Sequence, residues 1–170
     1  MKTIDSKYNV VFIDFDGTLV DTQSGETFPK CIADMKILWP TWNALRDWAK
    51  NKKSEDIHIY IVSNQAGISE GYVEDFLWRD KATYITSALF EYIGKKGDVD
   101  FDYAVEKTGN KYKPSVGMLE TFTNRLNNPD KSKMVMIGDA ADINKDFSDS
   151  DYKTAKNFGI DFIDVKDLWE

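Results

Sequence analysis

Two carboxylates, Asp14 and Asp16, flank a phenylalanine where the apolar run Val10 to Ile13 gives way to Gly17 and Thr18. Asp-Gly alone is an ordinary turn signal. A third acid, Asp139, follows Gly138 at the end of another apolar run, Ser63-Asn64 close a second, and Lys113 lies in the segment after a third. Carboxylates gathered around a cleft make an oxygen site for Mg2+, a hard cation that keeps several waters and pairs with phosphate. Its charge offsets the repulsion among the acids. Asp14, Asp16 and Asp139 are the ligand set the sequence offers. With one cysteine, Cys31, and one histidine, His58, there is no Cys/His set for a structural zinc and no internal disulfide.

Such a site suits hydrolysis of a phosphate monoester through a covalent intermediate. A carboxylate approaching a phosphate dianion is repelled unless cations neutralise the oxygens on both. Magnesium and Lys113 are the expected source of that charge. Asp14 is the expected nucleophile, and Asp16 the group that protonates the leaving oxygen and then deprotonates the attacking water. Gly17 allows a sharp turn, and its N–H with that of its neighbour Thr18 is expected to hold phosphate oxygens. Ser63 offers a hydroxyl to the transferring phosphoryl group, and Asn64 is expected to orient or fix the loop.

The elements that must position these groups show in the hydrophobic pattern. Apolar runs rich in β-branched and aromatic residues at 9–13, 57–62, 101–105, 134–137 and 160–165 predict strands. Helical patterns lie between them at 40–53, 72–93, 114–128 and 150–159. In the second helical pattern Phe76, Leu77, Tyr84, Leu89 and Phe90 are the apolar positions, and Trp39, Trp42, Trp48 and Trp78 read as core. Strand alternating with helix predicts an α/β fold, a Rossmann-like three-layer sandwich with a central parallel sheet. In such sheets ligands bind at the carboxyl ends of the strands, where the polar groups above are found. The intervals between them are already filled by a helix and a strand each, so no large cap domain is expected. The expectation is a single domain over residues 1–170.

Composition narrows the partners. The chain has 22 Lys and Arg against 29 Asp and Glu, a formal net charge of −7, which repels nucleic acid and anionic membranes overall. Lysines nevertheless cluster at 50–53, 107–113 and 131–133. The N-terminus lacks the apolar core of a signal peptide, and no apolar run approaches the ~20 residues of a membrane span. A soluble, cytoplasmic protein with no membrane association and no obligate protein partner is expected.

The segments "DFDGTL" (14–19), "SNQ" (63–65), "KP" (113–114) and "GD" (138–139) resemble the four motifs of the haloacid dehalogenase (HAD) superfamily of aspartyl-phosphate phosphatases, and Asp151 matches its late acidic position. By that resemblance Asp146 and Asp151 position Lys113 or a water of the metal, while Asp142 and Asp149 read as solvated loop acids. Further stretches, "DTQSGETFP" (21–29), "DMKILWP" (34–40), "SNQAGISEG" (63–71), "KPSVGM" (113–118) and "GDAADINKDFSDSD" (138–151), resemble the polynucleotide kinase 3′-phosphatase domain. The resemblance implies a magnesium-dependent enzyme that removes 3′-phosphates from DNA or other polynucleotide ends in end repair. No kinase or forkhead-type segment accompanies it, so a stand-alone 3′-phosphatase is expected.

Glu70 and Tyr112 stand where the resembling family often carries basic residues. Arg79, Lys107 and Lys111 are the expected compensation. Arg79, Lys111 and Tyr112 are the expected substrate contacts, Tyr112 either stacking on a base or packing partly buried. The alternatives are a capless phosphatase of small metabolites, of the histidinol-phosphate or heptose-bisphosphate type, and a non-catalytic binding module. Relatives of the first kind often carry a zinc-binding Cys/His loop, absent here, and the intact motif residues speak against the second.

Overall fold

The computed structural model describes residues 2–170. In chain order its elements are β1 (Val10–Ile13), β2 (Val20–Thr22), β3 (Met35–Ile37), α1 (Trp39–Ala49), β4 (His58–Asn64), α2 (Ala66–Ser69), α3 (Asp75–Tyr92), β5 (Asp98–Ala104), α4 (Gly117–Thr123), β6 (Met134–Gly138), α5 (Ser150–Phe158) and β7 (Asp161–Asp164). A five-stranded sheet runs in the order β5-β4-β1-β6-β7, with every pairing parallel.

The alternation of side chains along each strand sorts the core into two halves. Val11 and Ile13 of β1, Ile59 and Ile61 of β4, and Val135 and Ile137 of β6 face one way. They pack with Trp42, Leu45 and Trp48 of α1 and Trp78, Ile85 and Leu89 of α3. Val10, Phe12, Tyr60, Val62, Met134 and Met136 face the other way, onto Met118, Leu119 and Phe122 of α4 and Ala155 and Phe158 of α5. Tyr60 stacks on Phe122 with ring centroids 4.2 Å apart. Strands covered on both faces must read as continuous apolar runs, and each fully buried Ile or Phe contributes about 1.5–3 kcal/mol. Helix, sheet and helix make the three layers.

The strand order also fixes where a ligand binds. From β1 the chain moves outward through β4 to β5, then returns to the opposite side of β1 for β6 and β7. The reversal opens a crevice at the carboxyl ends of β1 and β6. Asp14 and Asp139 are the residues that follow those two strands.

Several elements differ from the pattern read in the sequence. β5 begins at Asp98, three residues before the expected strand, because its three acids share one face and each has a partner. Asp98 accepts from the Tyr60 hydroxyl (2.8 Å), Asp100 from Arg125 (2.7 Å) and Asp102 from Lys111 (3.1 Å). In α3 the buried face is Trp78, Lys81, Ala82, Ile85 and Leu89, whereas Phe76 and Tyr84 are exposed. Trp39 is 52% exposed and packs edge-on to Trp42 at the open end of α1, so it is not core. α4 holds seven residues rather than the expected fifteen. The antiparallel pair β2 and β3 is new, and it carries the segment that precedes α1 across the crevice. No helix among the described residues is long and apolar enough to cross a membrane.

Candidate active site

Asp14 directly follows β1, and its N–H still donates to the Ile137 carbonyl on β6 (3.0 Å). The sheet ladder therefore fixes the backbone from which the carboxylate projects. Lys113 Nζ donates to Asp14 Oδ1 (2.7 Å) and to Asp151 Oδ1 (2.6 Å), and all three side chains are buried. Asn64, at the end of β4, holds the lysine in place. Its amide donates to the Lys113 carbonyl (3.0 Å) and its Oδ1 accepts from the Lys113 N–H (2.8 Å). Asp151 enters from the first turn of α5, where its Oδ2 accepts from the Ala140 N–H (3.2 Å).

On the other side of Asp14 the buried amide of Gln65 donates both to Asp16 Oδ2 (2.9 Å) and to Ser63 Oγ (2.9 Å). Gln65 thus ties the proposed acid to the strand-end serine, a role the sequence reading did not give it, although Gln65 completes the quoted "SNQ". Lys81 was missed as well. It occupies a core position on α3, its charge lowers the carboxyl of Asp16 against the larger effect of burial, and its ammonium donates to the Pro29 carbonyl. A lysine on the apolar stripe between Trp78 and Ile85 was the available signal. Thr18 is fully buried with its hydroxyl unpartnered. The Gly17 N–H donates to the Val20 carbonyl (2.8 Å), so that N–H closes the turn rather than facing a phosphate.

Asp14, Asp139 and Asp151 bring carboxylate oxygens within 4.8 Å of one another. Burial pushes the Asp139 carboxyl up to about 8, with Asp14 and Asp151 adding to the effect. Burial likewise pushes Asp151 up to about 6 against the pull of Lys113. Asp14 is raised for the same reason, although Lys113 opposes it. For Lys113 burial alone would lower the ammonium, but the two acids outweigh it and the net shift is upward. One ammonium therefore serves three crowded acids, and Asp139 Oδ1 is buried without a partner. A divalent cation fits that charge deficit and that orphan oxygen. Of the Asp16 carboxylate, expected among the ligands, Oδ2 accepts from Gln65 and Oδ1 is buried without a partner. The trio brought together is Asp14, Asp139 and Asp151, in which both Asp151 oxygens also accept, from Lys113 and from the Ala140 N–H. Burial raises Asp16 too, which favours the protonated form a general acid needs.

Residues 9–168 match the family model described as polynucleotide kinase 3 phosphatase. The chain belongs to that family. It is 30% identical over 155 residues to the bifunctional polynucleotide phosphatase/kinase of Schizosaccharomyces pombe, covering 89% of this chain and 35% of that protein. It is 29% identical over 162 residues to an uncharacterized 20.8 kDa protein of Autographa californica nuclear polyhedrosis virus, covering 90% and 81%. Two HAD-like phosphatases share the fold. A D,D-heptose 1,7-bisphosphate phosphatase from B. bronchiseptica, complexed with magnesium and phosphate, aligns with a TM-score of 0.68 at 17% identity, over 90% of this chain and 78% of its own. A putative HAD-like phosphatase from Mesorhizobium loti aligns at 0.66 and 20% identity, over 94% and 73%.

The candidate site opens into a cleft of about 800 Å³ whose wall includes Asp14, Asp16, Ser63, Lys113 and Asp139. Tyr112 is half-buried and packs against the core that includes α4, the second of its two expected roles, and it also lines this cleft. Arg79 and Lys111 do not line it. Lys111 pairs with Asp102 beside a separate shallow cavity, and Arg79 lies next to Tyr103. Asp146 does not reach Lys113: its carboxylate accepts from the N–H groups of Ala141 and Asp142 and pairs with Lys166. It braces the loop after β6. Asp142 accepts from Asn144 at the surface, whereas Asp149 lies on the cleft wall.

Gly17 has φ of +75°, and a Cβ there would run into the Asp139 carboxylate. Gly17→Ala is expected to cost about 1–2 kcal/mol from the left-handed backbone alone and to displace Asp139. Thermal melts and a magnesium titration of activity check this. The half-saturating magnesium concentration should rise several-fold, beyond what the lowered melting temperature explains.

Proposed function

We propose that this phosphatase removes 3′-phosphates from DNA or other polynucleotide ends, in a magnesium-dependent reaction through an aspartyl-phosphate on Asp14, as DNA end repair requires. The observation that carries the reading is the family match over residues 9–168. The cleft, flanked by the β2–β3 segment and the loop after β6 rather than roofed by a cap domain, agrees with access for a chain end.

In this reading Lys113 holds one Asp14 oxygen, which leaves the other free to attack phosphorus. The bond from phosphorus to the 3′-oxygen breaks as the Asp14–phosphorus bond forms, and Asp16 gives its proton to the departing oxygen. Asp16 then takes a proton from the water that attacks the aspartyl-phosphate, so Asp14 is regenerated and inorganic phosphate leaves. Ser63, fixed by Gln65, donates its hydroxyl to a phosphoryl oxygen. Asp14, Asp139 and Asp151 would hold Mg2+, which when bound supplies positive charge against the phosphoryl oxygens.

The test compares a 3′-phosphorylated oligonucleotide with sugar phosphates and free nucleotides. The oligonucleotide is expected to exceed the small esters in kcat/KM by about tenfold or more, the difference that about 1.4 kcal/mol of extra binding gives. Chelation should abolish turnover and added magnesium restore it. Asp21 and Asp149 on the cleft wall favour the second reading, a small phosphorylated metabolite. Equal or better activity on the sugar phosphates would establish that reading instead.

A further inference from the structure

We infer that the cleft grips the last one or two nucleotides through their bases and makes little use of the phosphodiester backbone. This rests on the polynucleotide reading above and narrows recognition to the terminal one or two nucleotides, whatever the length of the strand. Phe147 is 76% exposed and Phe28 is 50% exposed, yet both line the cleft that holds Asp14 and Lys113, as does Tyr112. They come from separate segments, and each phenylalanine is adjacent to a residue tied down by buried or paired contacts. Pro29, next to Phe28, receives the buried Lys81 ammonium. Asp146, next to Phe147, binds two backbone N–H groups and Lys166. The two aromatics are thus exposed on the cleft wall, each one residue from an anchored neighbour, an arrangement that suits a stacking platform.

The cations at the site point the same way. Lys113 is engaged by Asp14 and Asp151, and Lys153, on the cleft wall, is paired with Asp149 (2.9 Å). Beyond the rim, Lys107 is paired with Glu70 (3.0 Å) and Lys111 with Asp102 (3.0 Å). A groove that tracks a nucleic-acid backbone needs uncommitted positive charge, and binding through it weakens steeply with salt. The wall of this cleft instead adds Asp21.

The experiment measures KM and kcat for single-stranded oligodeoxynucleotide 3′-phosphates of increasing length, and for the same ends with an abasic terminal residue. It uses the full chain with magnesium. From two to about twelve nucleotides kcat/KM should change by less than about threefold, and from about 50 to about 200 mM salt it should fall by no more than about fourfold, the slope of roughly one phosphate contact. Wild type should prefer the base-bearing end to the abasic one by about tenfold, and Phe147→Ala should erase most of that ratio while Phe147→Trp keeps it, since an aromatic face is what the base stacks on. Phe147 is exposed, so the ratio is read on folded protein. A kcat/KM that climbs with each added nucleotide and falls by about fiftyfold over that salt range, the slope of about four contacts, overturns this inference and leaves the polynucleotide reading standing. An unchanged base-to-abasic ratio in Phe147→Ala also overturns it. Turnover of sugar phosphates with none of any nucleotide 3′-phosphate removes both.

Discussion

Asp14→Asn is expected to lower kcat by about 10⁴-fold or more, the scale seen when a covalent nucleophile is removed, while leaving the fold intact. The amide is nearly isosteric but is not a nucleophile toward phosphorus, so no aspartyl-phosphate forms. Stability should change little. The ionised Asp14 is disfavoured by burial and lies near Asp139 and Asp151, so its neutralisation relieves repulsion even as it weakens one bond to Lys113. That lysine keeps Asp151 at 2.6 Å. Because gain and loss oppose, the net change is expected within about 1 kcal/mol. Rapid acid quench with a labelled 3′-phosphate checks the intermediate directly: wild type should yield labelled protein and Asp14→Asn none. Hydrolysis retained near the wild-type rate by a well-folded Asp14→Asn protein would remove the covalent mechanism.

The parts of this site that showed in the sequence are those set by the sheet. Parallel strands buried on both faces leave continuous apolar runs, and the residue after each run is at the binding edge whatever the details of packing. Asp14, Ser63, Asn64 and Asp139 could be found that way. What the sequence left open depends on which side chains meet after the helices dock. Asp16 and Asp151 both offer carboxylates, yet only the approach of α5 over Gly138, where a Cβ would collide with Asp151, decides which one joins Asp14 and Asp139. Strands as short as β2 and β3, three residues each, carry too little periodicity to be seen, so the route of the Phe28 segment was hidden with them. Arg79 and Lys111 were placed by charge alone. The sequence could not show that Lys111 pairs with Asp102 of β5 or that Arg79 lies beside Tyr103 rather than on the cleft wall, since such contacts follow from tertiary position.

Lys113→Met is expected to combine a large loss of activity with a loss of stability that grows as pH rises in the absence of metal. The ammonium is the cation bonded to both Asp14 and Asp151, and breaking a buried charge network by removing one member costs about 3–5 kcal/mol. Loss of its charge at the transferring phosphoryl group should lower kcat a further 10²–10³-fold or so, as for other preorganised electrostatic contacts. The pH dependence follows from the acids. Asp139 and Asp151 stand at about 8 and about 6 against an ordinary 3.8, so across that window the folded chain retains protons that the unfolded chain has released. Stability then falls as pH rises from about 4 toward 8. Without Lys113 the three carboxyls are raised further, which steepens the fall and extends it upward. Magnesium should reverse it by favouring the ionised trio. Melting temperatures in chelator should therefore drop between about pH 5 and pH 8 in wild type and drop more in Lys113→Met, with added magnesium closing most of the gap at the higher pH. A melting temperature for Lys113→Met that is level across this range, or indifferent to magnesium at both ends, would mean that the acids are not held together against their own charge. The account of the site as a metal-ready trio balanced by one lysine would then fail.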